Sequence, residues 1–189
     1  MRLSLNALFA LPLSLAFLTS LPPFQTVAQS QGEVSPATNP DVSFRRPLRV
    51  VNARTSNKFE QRRSEYRFSI NFPEDAVEPL ERIVFAQVEG AGYPRYQGSG
   101  NYAFDSRDRT ELPLSEVNNN RDNRTIVVEF DPPVEPGRDI TVALRARNPR
   151  SGIYTYQLTA FPVGATEGQY AGVESLTFYD TSDRRRLFR

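Results

Sequence analysis

The chain has 189 residues, 22 acidic and 23 basic, and a formal net charge of +1. It contains no cysteine and no histidine, which excludes disulfides, thiol chemistry, histidine-ligated zinc or copper, and any catalytic triad built on imidazole. The near-neutral balance gives no global field for nucleic acid, and no phosphate-binding glycine motif or Gly-x-Ser-x-Gly occurs.

Arg2 precedes an apolar run at 3–18, followed by Pro22-Pro23 and then Thr26-Val27-Ala28. The pattern reads as a secretory signal peptide over 1–28, cleaved after Ala28. The run is interrupted by Pro12 and falls short of the ~20 apolar residues that a membrane span needs. The leader holds one arginine and no acid, so its loss takes the formal charge from +1 to zero. The expectation is an exported protein of the periplasm, cell envelope or exterior, with no transmembrane segment in the mature chain. Residues 29–44 are rich in Gln, Ser, Gly, Pro, Asn and Thr and read as a flexible linker. A single domain is expected over 45–180, followed by a disordered basic tail at 181–189.

The domain opens on Arg45, Arg46, Arg49, Arg54, Lys58, Arg62, Arg63 and Arg67, set against Glu60 and Glu65. This is either a solvated edge or a contact surface for an anionic envelope polymer, with Arg45, Arg46, Arg62 and Arg63 as candidate binding residues. Lys58 is the only lysine, and arginine offers carboxylate or phosphate a two-pronged fork that lysine lacks. From 65 to 72 the chain alternates, with Tyr66, Phe68, Ile70 and Phe72 on one face and Pro73 as the stop. Residues 74–80 read as an acidic loop or one helical turn, and 82–88 as a strand. Glycines at 90, 92, 98 and 100 mark turns around a short run at Arg95-Tyr96-Gln97, with another short strand at 102–104. Tyr93, Arg95, Tyr96 and Tyr102 in this stretch either cover the end of the core or meet a sugar or peptide from loops.

Asp105, Asp108 and Glu111 cluster in sequence. They suit an acid/base pair at glycosidase separation or oxygen ligands for Ca²⁺. Arg107 and Arg109 lie between them and neutralise the cluster, and the EF-hand spacing is absent. The expectation is therefore no catalytic residue, no metal and no cofactor. Residues 112–117 suggest a brief helix and 118–123 a polar turn cluster.

The stretch 125–163 reads as three half-buried strands. Their inward residues are Ile126, Val128 and Phe130; then Ile140, Val142, Leu144 and Ala146; then Tyr154, Tyr156, Leu158 and Ala160. Pro136-Gly137 and the stretch 148–152 supply the turns. Side-chain parity favours a hairpin in which Leu144 pairs with Tyr156, leaving Arg145 and Arg147 outward. The first of the three strands either joins them or crosses to an opposing sheet. A last strand follows at 174–179, with Leu176 and Phe178 on one face. No helix-period window of useful length appears. The fold expected is all-β: an antiparallel immunoglobulin-like β-sandwich of about 7–9 short strands.

Phe130-Asp131-Pro132-Pro133-Val134-Glu135-Pro136-Gly137, the turn at 148–152, and Thr159-Ala160-Phe161-Pro162 together resemble a secreted cyanobacterial family catalogued as domain of unknown function 2808. Tyr66-Arg67-Phe68 with the stretch 72–80 upstream, and Gly168-Gln169 with Leu176-Thr177-Phe178-Tyr179 downstream, resemble the same family. The resemblance covers about Arg45 to Asp180. It implies an exported cyanobacterial protein and carries no catalytic or ligand residues with it. The function expected is a non-catalytic binding or structural module of the cell envelope, meeting an envelope polysaccharide or envelope protein and no nucleic acid. The alternatives are a carboxylate-dependent hydrolase of envelope glycans and a module that assembles with a protein partner through an exposed strand edge.

Overall fold

The computed structural model describes residues 42–182. The expected signal peptide, most of the linker and the tail from 183 lie outside the described residues. Phe44, in the stretch read as linker, is buried and meets the Phe72 ring edge-on at 5.6 Å.

Eleven strands occur among the described residues: β1 (Arg49–Thr55), β2 (Arg63–Phe72), β3 (Leu80–Gln87), β4 (Arg95–Tyr96), β5 (Tyr102–Asp105), β6 (Glu111–Leu112), β7 (Leu114–Asn120), β8 (Thr125–Val134), β9 (Arg138–Arg147), β10 (Gly152–Pro162) and β11 (Gln169–Phe178). β4 and β6 are two residues long, which leaves nine longer strands. After Pro73 the acidic stretch forms one 3₁₀ turn, Glu74–Ala76. Sheet one runs β1-β2-β9-β5-β6 with β4 also on β9, and sheet two runs β11-β10-β3-β8-β7. All ladders are antiparallel, and the fold is an immunoglobulin-like β-sandwich.

The inward face of each strand fills the space between the sheets. Tyr66, Phe68, Ile70 and Phe72 from β2 are each at most 2% exposed. Phe68 bridges the layers, with its ring 4.8 Å from Phe85 and 5.5 Å from Tyr156. Each such side chain contributes roughly 1.5–3 kcal/mol by leaving water.

The expected hairpin between the second and third strands of the 125–163 stretch does not form. β9 lies in sheet one and pairs with β2, Leu144 opposite Tyr66. β10 lies in sheet two and pairs with β3, Leu158 opposite Phe85. The inward residues are buried as expected, and Arg145 and Arg147 are exposed. β9 and β10 face one another across the core instead of lying side by side. Period-two alternation is identical for neighbours within a sheet and for strands facing across a sandwich, so parity alone does not separate the two. The corner is held by Asn148, which is 2% exposed. Asn148 Oδ1 accepts from the Tyr66 hydroxyl at 3.0 Å, and its amide donates to the Asn57 and Phe59 carbonyls at 2.8 and 2.7 Å. β8 likewise belongs to sheet two, so the chain crosses again at Gly137, whose φ of 83 needs glycine.

The stretch 112–117, where a brief helix is expected, instead holds the end of β6 and the start of β7, with Val117 opposite Val128 and Asn118 opposite Val127. Asn118, Asn119 and Asn120 therefore belong to a strand, and the turn begins at Arg121. Asparagine has poor strand propensity. At a sheet edge, pairing with β8 on one side supplies the backbone hydrogen bonds that the side chains do not favour.

Candidate functional site

On β9, inward Ile140, Val142, Leu144 and Ala146 leave Thr141, Ala143, Arg145 and Arg147 pointing outward. The ladders then lay out the outer face of sheet one in cross-strand rows. The first row holds Arg63, Arg147 and Arg95. A second holds Arg54, Arg67, Ala143 and Tyr102. A third holds Asn52, Ser69, Thr141 and Phe104. Among the described residues no carboxylate lies within ion-pair distance of Arg54, Arg63, Arg95, Arg109, Arg145 or Arg147. Like charges directly opposite in a ladder destabilise it.

Thr141 and Ala143 face outward yet are only 5% and 0% exposed, because neighbouring side chains close over them. On one side, Arg67 Nε donates to Glu65 at 2.7 Å, and the Tyr102 hydroxyl donates to the same carboxylate at 3.1 Å. On the other, Tyr102 and Phe104 stack at 6.0 Å with an interplanar angle of 21°. The Arg109 guanidinium lies 4.8 Å above the Phe104 ring, from a backbone at φ 66. Two hollows result. One, of about 370 Å³, is lined by Arg67, Tyr102, Phe104, Arg109 and Glu111. The other, of about 360 Å³, is lined by Arg54, Arg67, Ser69, Phe104, Arg109 and Thr141, among others.

Three of the sequence-predicted residues, Arg63, Arg95 and Tyr102, come together on this face. Arg62 is exposed just before β2, and its carbonyl accepts from Asn148 N at 2.8 Å. Arg45 and Arg46 do not join them. They sit against the Glu74–Ala76 turn, where Arg45 N donates to the Ala76 carbonyl at 2.9 Å and Arg46 pairs with Asp75 at 3.3 Å. β1 and β2 are antiparallel, so the turn between them stands at the opposite end of sheet one from Arg49 and Asn71. Eight residues of β2 separate those ends, roughly 26 Å. The four arginines therefore form two patches, not one.

Tyr93 and Tyr96 cover the core. The Tyr96 ring is edge-on to Tyr66 at 5.8 Å, and its hydroxyl donates to the Tyr156 hydroxyl at 3.2 Å. Burial pushes the Tyr96 hydroxyl well above its ordinary range. Tyr93 donates to Asn119 Oδ1 at 2.6 Å, and burial pushes it up to about 12. The sequence reading missed Arg109 and Phe104 as site residues, and it did not align Arg147 with Arg63 and Arg95. Alternation showed Arg147 to be outward, but only the ladder registers reveal what stands beside it.

The carboxylate cluster does not assemble. The Asp105 side chain is 1% exposed and lies 3.1 Å from Arg107 Nη2 and 3.3 Å from Arg138 Nη1. Its Oδ1 also accepts from Arg107 N at 3.0 Å. Burial pulls its carboxyl up, but the hydrogen bonds from Arg107 and Arg138 outweigh this and lower it to about 2. Both oxygens are engaged, and the group holds no proton at neutral pH. Asp108 instead accepts from Thr110 N at 2.9 Å. Among the described residues no group of three or more acidic side chains is placed to hold a metal ion. Asp105 is thus engaged by Arg107 and Arg138 and not grouped with Asp108 and Glu111. It pins the loop after β5 to β9.

The sequence profile of a family described as protein of unknown function (DUF2808) matches residues 41–178. No curated protein matches the chain. Among solved structures, a DUF4466 family protein from Parabacteroides merdae is 14% identical over 70% of this chain, with a TM-score of 0.44, and this chain spans only 44% of its length. BslA, a bacterial hydrophobin, is 14% identical over 71% of this chain and 93% of its own, with a TM-score of 0.44. An uncharacterized protein from Nocardia farcinica with an immunoglobulin-like fold is 13% identical over 68% of this chain and 96% of its own, with a TM-score of 0.42.

Proposed function

This chain belongs to the DUF2808 family, whose function is unknown, and on that premise we propose that it is an exported, non-catalytic binding module of the cell envelope whose sheet-one face holds an anionic polymer. The observation that carries the reading is the row of Arg63, Arg147 and Arg95, three guanidiniums in register without an acidic partner. Such a row opposes folding, and a bound polyanion removes the repulsion. Export rests on the leader read at 1–28. Among the described residues no helix is long and apolar enough to cross a membrane.

Each exposed arginine contact contributes at most about 1 kcal/mol, so several must act together. Retention of the protein on an immobilised polyanion should therefore fall steeply between low salt and ~0.5 M salt, where the Debye length drops below ~5 Å. Combining Arg63→Gln, Arg95→Gln and Arg147→Gln should remove most of that retention without lowering the melting temperature. Retention indifferent to both salt and the triple substitution would overturn the reading.

A further inference from the structure

Resting on the anionic-polymer reading, we infer that the hollow above Thr141 is a site for an acidic sugar unit, its carboxylate or sulfate held between Arg54 and Arg109 and its hydroxyls on the polar floor.

The hollow has a volume of about 360 Å³, within the range of small-ligand sites, roughly 300–1,000 Å³. Three guanidiniums line it, from Arg54, Arg67 and Arg109, and no carboxylate does. Arg67 is already committed to Glu65, whereas Arg54 and Arg109 have no acidic partner among the described residues. Their forks suit a carboxylate or sulfate, which accepts two parallel hydrogen bonds. Arg109 reaches this position from a left-handed backbone, φ 66, with its guanidinium laid on the Phe104 ring. Non-glycine residues adopt that conformation only where the surroundings enforce it.

Charge alone fits any polyanion; the floor narrows the class. Asn52, Ser69, Ser106 and Thr141 line the hollow with an amide and three hydroxyls, those of Ser106 and Thr141 hydrogen-bonded to each other at 2.6 Å. These groups both donate and accept, which matches the hydroxyls of a sugar, whereas a polyphosphate, which only accepts, uses their donors alone. The neighbouring hollow shares Arg67, Phe104 and Arg109 and adds Tyr102 and Glu111. The two lie in line across β1, β2, β9, β5 and β6. Four interstrand spacings span roughly 19 Å, so the face accommodates a run of sugar units along a chain.

The test measures binding of polygalacturonate to the full protein, with polyphosphate and polyglutamate as probes of matched charge. The wild type should prefer polygalacturonate to polyglutamate. Arg54→Gln with Arg109→Gln should weaken polygalacturonate binding by about tenfold or more, the loss of two charge-assisted contacts. The same variant should leave polyphosphate binding and the melting temperature near wild type, because the row of Arg63, Arg147 and Arg95 is intact. Thr141→Val, nearly isosteric, should weaken polygalacturonate alone. A proportional loss of both polymers in the double variant, or polyglutamate bound as tightly as polygalacturonate, overturns the sugar site and leaves the proposed function standing. No retention of any polyanion by the wild type overturns both.

Discussion

On the outer face of sheet one a ladder row reads Arg63, Arg147, Arg95. On the outer face of sheet two, one row reads Val173, Gln157, Ala86, Thr125, Asn120 and the next reads Tyr170, Thr159, Val84, Val127, Asn118. The sheet-two rows carry no charge and are dominated by valine and threonine, residues that pack well on a pleated surface. Where charge does occur on that face a cation shares the row: Arg82 lies 4.2 Å over the Phe161 ring and pairs in register with Glu129, which has Glu116 opposite it on its other side. On the second face the one like-charge pair, Glu116 and Glu129, has Arg82 in the same row. On the first face three arginines share a row that contains no acid. A surface that departs from what stability favours marks the side on which to seek a function.

The largest effects belong to the core that both faces share. Leu144→Ala on β9 and Leu158→Ala on β10 should each cost about 2–5 kcal/mol in denaturant unfolding, since both empty a fully buried site. Arg145→Ala, one residue from Leu144 and exposed, should cost less than ~1 kcal/mol. Equal losses at 144 and 145 would break the assignment of inner and outer faces.

Next comes an acid sensitivity expected of sheet one, where Asp105 is clamped. Its carboxyl sits at about 2 in the fold against an ordinary 3.8. A lowered carboxylate stabilises the fold above its unfolded value, and that contribution disappears as pH falls through the folded one. About 2 kcal/mol should therefore be lost between pH ~4 and ~2. Unfolding midpoints at pH 5, 3 and 2 measure this, and Asp105→Asn should remove that part of the pH dependence.

Arg147→Gln should raise stability by about 0.2–1 kcal/mol by relieving repulsion from Arg63 and Arg95, less what is lost with the hydrogen bond that Arg147 Nε donates to the Gln61 carbonyl at 2.8 Å. Added salt should narrow the difference from wild type. A melting temperature that falls instead would show that the row is stabilised by something within the fold, and the contrast between the faces would weaken. The smallest effect is the reciprocal change: Gln157→Arg on sheet two has no cationic neighbour in its row and should shift stability by no more than ~0.5 kcal/mol.

Much of the fold was legible in the chain. Tyr66, Phe68, Ile70 and Phe72 announced β2 by alternation, and Pro73 ended it. Of the site, Arg63, Arg95 and Tyr102 were legible as residue types suited to an anionic or aromatic-stacking ligand. The grouping around them was not, because Arg63 and Arg147 are neighbours only through a ladder between strands distant in sequence. Asp105 illustrates the converse. Its closeness in sequence to Asp108 and Glu111 suggested shared chemistry, but β5 turns it inward to Arg107 and Arg138 and leaves the other two exposed.

The sequence by itself determined which side chains point inward, because alternation is a property of each strand alone. Tertiary structure decided which strands are neighbours. β9 and β10 satisfy the same parity as a hairpin or as opposing layers. The layered solution places Phe68 against Phe85 and Tyr156 and buries Asn148 with its hydrogen bonds satisfied. It also brings Arg147 beside Arg63 and Arg95. The basic face exists because β2, β4 and β9 share a sheet, and that follows from long-range backbone pairing which no local pattern encodes.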